Sequence, residues 1–329
     1  MVPISILDLA PIVAGGTASD ALRNSLDLAR HAEDWGYSRF WLAEHHNMPG
    51  IASSATSVVI GHIAAGTSRI RVGSGGIMLP NHAPLMIAEQ FGTLESLFPG
   101  RIDLGIGRAP GSDRLAARAM RRGLDSDGDN FPELLDELRA FLYGSGTLGV
   151  RAVPGEGLNI PMWLLGSSGF SAQLAGELGL PFAFASHFAP EYLLPALHLY
   201  RSHFRPSSVL DQPYAMVGIS VVAADTPEDA QRLATSQQQQ ALSLIRGRPG
   251  KLQPPVDSMD GLWTEEEKEM VRRRMAYTII GDRAAISDRL QQIVRETGAD
   301  ELIATGQIYD HHARLRSYHI LAEAAGLRN

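Results

Sequence analysis

Short apolar runs alternate with longer amphipathic stretches along this chain, and the alternation sets the elements. "ISILDLAP" (4–11), "RFWLAEHH" (39–46), "RIRVGSGGIML" (69–79) and "GRIDLGIGR" (100–108) read as the first four strands. "PMWLLGSS" (161–168), "PFAFASHF" (181–188), "YAMVGISVVAA" (214–224) and "ELIATGQ" (301–307) read as the next four. Between and after them the spacing predicts helices over 19–36, 53–67, 84–97, 131–143, 170–178, 190–204, 227–245 and 312–325. The strands are nearly continuous apolar runs, as expected where both faces of a parallel sheet are covered. Eight strand–helix units point to a closed α/β barrel, the (β/α)8 TIM barrel, with a two-domain α/β fold as the runner-up. No linker divides the chain, so residues 1–329 are expected to form one domain. Two stretches exceed ordinary loop length: 109–130, polar and glycine-rich, and 247–264, which carries several prolines. Both are expected as insertions at the C-terminal face, the second as a mobile lid.

Composition narrows the function classes. The net charge is −7 and the 29 Lys and Arg are scattered, which argues against a nucleic-acid groove. The run Arg272-Arg273-Arg274 after Glu265-Glu266-Glu267 reads as an exposed helix with paired charges. Cysteine is absent, which excludes disulfides, thiolate metal sites and a cysteine nucleophile. The N-terminus lacks a basic segment and no apolar run has membrane-spanning length, so the expectation is a cytoplasmic protein.

In a barrel, chemistry collects where the strands end. The second strand delivers Glu44, His45 and His46, and the third delivers Gly75-Gly76 and then His82. The fourth ends in Gly107-Arg108 and the fifth in Gly166-Ser167-Ser168 just before a helix. Backbone N–H groups at that helix start, serine hydroxyls and a forked guanidinium on the neighbouring strand suit a phosphate. Each signal has an ordinary structural explanation as a cap or a surface arginine; together they favour a phosphorylated ligand. Neither a Walker pattern nor a dinucleotide fingerprint is present. A metal site from His45, His82, His187 and His311 lacks the first-strand histidine pair of barrel hydrolases, since that strand offers only Asp8. A glycosidase pair would have to be drawn from Asp8 and Glu44, with no acid at the ends of strands four and seven. A histidine at a strand end is more often a structural hydrogen-bonder than a catalyst, so the phosphate site opposite it is what raises His45.

These stretches, with "WLAEHHN", "RVGSGGIMLPNHAPL", "PGRIDLGIGRAPGSD", "LGSSGFSAQLAGELGLP" and "DELIATGQIYDHHARLRSYHILAEA", resemble the bacterial luciferase-like flavin-dependent monooxygenases along nearly the whole chain. The resemblance implies a (β/α)8 barrel that binds reduced FMN, reacts with O2 through a C4a-hydroperoxyflavin and oxygenates a small organic substrate. It implies His45 as the active-site histidine, supported by Glu44 or His46, and Arg108, Ser167, Ser168 and Ser171 as the phosphate-binding set. It places a non-proline cis peptide at Gly75-Gly76, beneath the flavin ring. It further implies a homodimer, with the helix of 53–66 near the interface, and a separate flavin reductase as partner. Gly107 and Ser186 depart from the light-emitting members, which argues against a long-chain aldehyde. Two other readings stay open: an F420-dependent hydride-transfer enzyme, for which Arg114, Arg118, Arg121 and Arg122 are the available basic residues, and a non-catalytic flavin-binding protein.

Overall fold

The computed structural model of the protein describes residues 1–109, 114–120, 130–144 and 149–327. Among the described residues nine strands run in chain order: β1 (Ile4–Asp8), β2 (Arg39–Leu42), β3 (Arg71–Met78), β4 (Ile102–Gly107), β5 (Met162–Gly166), β6 (Phe182–Phe184), β7 (Ala215–Ala223), β8 (Thr278–Gly281) and β9 (Glu301–Thr305). β1 to β7 pair in sequence, and β9 joins β7 back to β1, so eight parallel strands close a barrel. The helices are α1 (Ala18–Asp34), α2 (Thr56–Ala65), α3 (Pro84–Leu97), α4 (Arg114–Met120), α5 (Phe131–Tyr143) and α6 (Gly169–Leu178). They continue with α7 (Leu193–His203), α8 (Pro227–Ile245), α9 (Glu265–Arg274), α10 (Arg283–Thr297) and α11 (His311–Ala325).

β8 lies outside the closed barrel. It pairs with the far end of β7, from Ser220 opposite Thr278 to Ala223 opposite Gly281. It and α10 fall between the seventh and eighth strands expected from sequence, and neither is in that expectation. β8 is only four residues and half of it is partly exposed, so no continuous apolar run marks it. α10 did carry signals: Asp282 caps it through the Ala285 amide, Gly298 closes it in the left-handed region, and Ile286, Leu290 and Ile293 share its buried face.

Alternation along the strands layers the barrel interior. The lowest layer is ionic. Arg39 donates to Asp103 at 2.8 Å and to Glu301 at 3.1 Å, and Arg71 reaches Asp103 at 2.6 Å. Ser5, Tyr214 and the Trp41 indole donate to the same two carboxylates. Above it sits an apolar layer of Leu7, Trp41, Trp163, Met216 and Ile303, with the two indoles edge-to-face at 5.3 Å. The larger core fills the space between strands and helices. Asp8, one step from Leu7, therefore points outward and meets Arg314 of α11 at 2.5 Å. Among the described residues no helix is long and apolar enough to cross a membrane.

Of the two long insertions, 247–264 is fully described. Leu252 exchanges backbone hydrogen bonds with Ile12 and Ala14, Lys251 Nζ donates to the Gly16 carbonyl, and Met259 packs with Ala241, Leu242 and Val271. In the 109–130 insertion α4 is described, but 110–113 and 121–129 lie outside the described residues, as do the side chains of Arg114, Arg118, Arg121 and Arg122.

Candidate active site

Above the apolar layer, at the C-terminal ends of the strands, the barrel opens into a cavity of about 650 Å³. That is within the usual range for a small-molecule or cofactor site. It has a cationic corner, a flat bed and a polar wall.

The corner is where strands four and five end. Arg108 follows β4 directly and lays its guanidinium over the Phe170 ring, 4.4 Å from the centroid. Ser167 and Ser168 follow β5, and Ser171 sits in the first turn of α6. Ser168 is the N-cap of α6, yet its hydroxyl makes no capping bond to the helix. The hydroxyls of Ser167 and Ser171 likewise have no partner among the described residues, and all three serines line the cavity. A helix start with uncommitted hydroxyls beside a guanidinium is a donor set for a phosphate.

The bed is made by Gly75 and Gly107, with Leu7 and Trp41 below. The Gly75–Gly76 peptide is cis, at the position expected from sequence. A Cβ on Gly75 would come within 2.6 Å of Leu7, and one on Gly107 within 2.9 Å of Met78. Gly76 does not reach the cavity; it faces the β4 backbone, where a Cβ would lie 2.8 Å from the Gly105 carbonyl.

The polar wall begins after β2. The strand ends at Leu42, not at His46 as expected, so His45 and His46 sit in a loop and strand alternation does not separate them. Both line the cavity. Glu44 does not: it is 1% exposed and lies beneath them. Its carboxylate accepts from His46 Nε2 at 2.8 Å, His82 Nε2 at 2.9 Å, the Met78 amide at 3.0 Å and Asn81 Nδ2 at 3.2 Å. Burial pushes the Glu44 carboxyl up, but the bonds from His82, His46 and Met78 outweigh it and hold it below the usual range. Glu44 thus organises the loop and fixes two imidazoles from behind.

Opposite, His187 follows β6 and lines the cavity with Arg274, Gln237 and Gln240. Its Nδ1 is buried without a hydrogen-bond partner among the described residues. Burial, with His45 and Arg274 nearby, pushes its pKa down to about 4. Because the unfolded value is near 6.5, the unfolded chain takes up a proton first as the pH falls. His187 should therefore cost the fold up to about 3 kcal/mol between pH 6.5 and pH 4. Urea unfolding at pH 7 and pH 4 should show that loss in the wild type and a smaller one in His187→Gln; equal losses would contradict the assignment.

Several polar strand-end residues go elsewhere. His82 is committed to Glu44, His311 to Asp27 at 2.8 Å, Tyr309 to the Ala14 carbonyl, and Asp310 caps α11. Among the described residues no group of three or more His, Cys, Asp or Glu could hold a metal. Arg274 is a correction. Arg272 and Arg273 pair with Glu269 on the surface at 2.7 and 2.9 Å, as expected. Arg274 instead turns inward to the cavity. The signal was its spacing, three residues after the buried Val271 and hence on the same helix face.

The fold and cavity define a (β/α)8-barrel protein that gathers a cationic corner, a glycine bed and histidines at its C-terminal face. The comparisons are specific: the chain belongs to the luciferase-like monooxygenase family, whose model matches residues 2–301. It is 56% identical over 320 residues to a luciferase-like monooxygenase of Escherichia coli (strain K12), covering 97% of this chain and 96% of that protein. It is 32% identical over 331 residues to the N-acetyl-S-alkylcysteine monooxygenase of Bacillus subtilis (strain 168), covering 98% of both. The crystal structure of apo-MsnO8 superposes with a TM-score of 0.89 at 35% identity, over 100% of this chain and 99% of that one. At 17% and 14% identity the fold recurs in the oxygenating constituent of 3,6-diketocamphane monooxygenase of Pseudomonas putida in complex with FMN, and in an F420-dependent secondary alcohol dehydrogenase, each with a TM-score of 0.72. The first likeness covers 98% of this chain and 97% of that one, the second 100% and 99%.

Proposed function

We propose that the protein is an FMN-dependent monooxygenase that takes reduced flavin from a separate reductase and oxygenates a small organic substrate with O2. The observation that carries this is the junction of a monophosphate-sized donor set, Arg108 with Ser167, Ser168 and Ser171, to a flat glycine bed facing His45. When bound there, reduced FMN would supply the electrons for O2 reduction. Arg108 and the α6 N-terminus hold the phosphate. Gly75 and Gly107 line the floor on which a planar ring would lie. His45 holds or delivers a proton at the reacting atoms, and Glu44 positions the loop that carries it. Pro249 and Leu252 of the 247–264 segment close the outer wall, and we assign that segment the role of excluding water.

An F420-dependent reading shares the fold. It would draw on Arg114, Arg118, Arg121 and Arg122, whose side chains lie outside the described residues, whereas Arg108 and the three serines at the α6 start form a set sized for one phosphate. For assembly, the outer faces of α2 and α3 expose Val58, Met86 and Leu97 at 71%, 56% and 64%, and this is the surface we assign to a homodimer.

Arg108→Ala should weaken FMN binding by about 1.5–3 kcal/mol, the value of a charged hydrogen bond. Riboflavin, which lacks the phosphate, should bind wild type and variant alike. Fluorescence titration of both flavins checks this, and an unchanged FMN dissociation constant would remove Arg108 from the site.

A further inference from the structure

The fixed charges that line the cavity among the described residues are two arginines. Arg108, Arg274, His45, His46 and His187 line it, and no aspartate or glutamate does among the described residues. If the proposed function holds, the flavin phosphate accounts for Arg108. It leaves Arg274 unanswered. This arginine is the last residue of α9, three positions after buried Val271. It forms no ion pair and no hydrogen bond among the described residues, unlike its neighbours Arg272 and Arg273. Burial alone depresses its pKa, with no acid nearby to oppose it. Arg274 is half-buried with its guanidinium open to the cavity and no carboxylate beside it, so an anion that enters can pair with it.

Its surroundings describe that partner. His187 lies close enough to Arg274 and His45 to feel their charge, and burial keeps it neutral, so Arg274 is the fixed cation of this group. The Nδ1 of His187 is buried against Gly218 with no hydrogen-bond partner among the described residues, while the ring lines the cavity. Gln240 adds a polar side chain to the same wall. Around them Ala241, Leu244, Met275 and Phe188 present apolar surface.

We propose that Arg274, with His187 and Gln240, is the anchor for the acidic headgroup of the substrate, and that the substrate is a small organic anion, a carboxylate or sulfonate with an apolar body. This rests on the reading that the Arg108 corner takes the cofactor phosphate. Arg274 then sets which molecules are accepted, while His45 lines the same cavity. The forked geometry of arginine matches a carboxylate or sulfonate in a way that lysine does not.

The test uses the full chain loaded with FMN, titrated by calorimetry with octanoate, octanesulfonate and the uncharged octanamide. The anions should bind at least about tenfold more tightly than the amide. Arg274→Gln should bring that ratio close to one while leaving FMN affinity unchanged, and Arg274→Lys should restore part of it. Arg108→Ala, measured at saturating FMN, should keep the preference for anions. No anion preference in the wild type, or an unchanged preference in Arg274→Gln, would overturn the proposal. So would a loss of FMN affinity in Arg274→Gln, which would put the cofactor phosphate on Arg274 instead. If wild type fails to take up FMN, the flavin reading falls separately, and the same titrations on the unloaded protein still decide whether Arg274 selects anions.

Discussion

Glu44→Ala should lower the unfolding free energy by about 3–5 kcal/mol. Two imidazole nitrogens, a backbone amide and a side-chain amide converge on that one buried carboxylate. Removing it leaves a buried gap and unpairs those donors, the imidazoles among them partly exposed, at about 1–3 kcal/mol for each group left unsatisfied. Glu44→Gln keeps the volume and one acceptor oxygen, so it should lose roughly half as much. Flavin affinity should fall in both variants, because His46 and Met78 belong to the cavity wall. The carboxylate also has a pH signature. Its folded pKa lies below the usual 4.5, so its contribution is fully present above that value and is lost as the pH falls through the lower, folded one. Chemical denaturation of the two variants at pH 7 checks the magnitude, and a loss under about 1 kcal/mol in Glu44→Ala would contradict the arrangement.

Arg314→Met should be as severe, at about 3–5 kcal/mol, for a different reason. Arg314 and Asp8 are 3% and 1% exposed, and the guanidinium is the only side-chain partner of that carboxylate among the described residues. Burial pulls the Arg314 pKa down, but Asp8 outweighs it and holds the guanidinium charged. Deleting one charge leaves the other buried with a single backbone donor, the Ala10 amide. Removing both should be far milder, since apolar side chains can fill the space. Asp8→Leu combined with Arg314→Met should therefore recover most of the stability lost in the single variant. A double variant as unstable as the sum of the two singles would show that the pair is not coupled.

The barrel was legible because its strands are buried on both faces and read as apolar runs. Strand β8 was not, because it is short, alternates in exposure and pairs only on the outside of β7. The Glu44-His45-His46 run was visible as chemistry but its geometry was not. A strand taken to His46 ends at Leu42, and what shapes the loop is long-range: His82 and Met78 come from the next unit of the barrel to hold Glu44. Asp8 was placed at the barrel mouth by its position at a strand end; alternation with Leu7 sends it outward to α11. The Arg108 and serine corner was readable because its parts lie within a few residues of strand ends. Arg274 was hidden by its neighbours: in a run of charges the composition reads as surface, and only the helical phase with Val271 shows that one of the three turns inward.

The central claim, that this cavity holds reduced FMN and directs its reaction with O2 through His45, is tested most directly by rapid mixing. The protein is loaded anaerobically with reduced FMN and mixed with oxygenated buffer while the flavin spectrum is recorded. The account predicts that return of the oxidised spectrum is delayed relative to free flavin, and that His45→Ala shortens the delay. Reoxidation indistinguishable from that of free flavin in the wild type would contradict it.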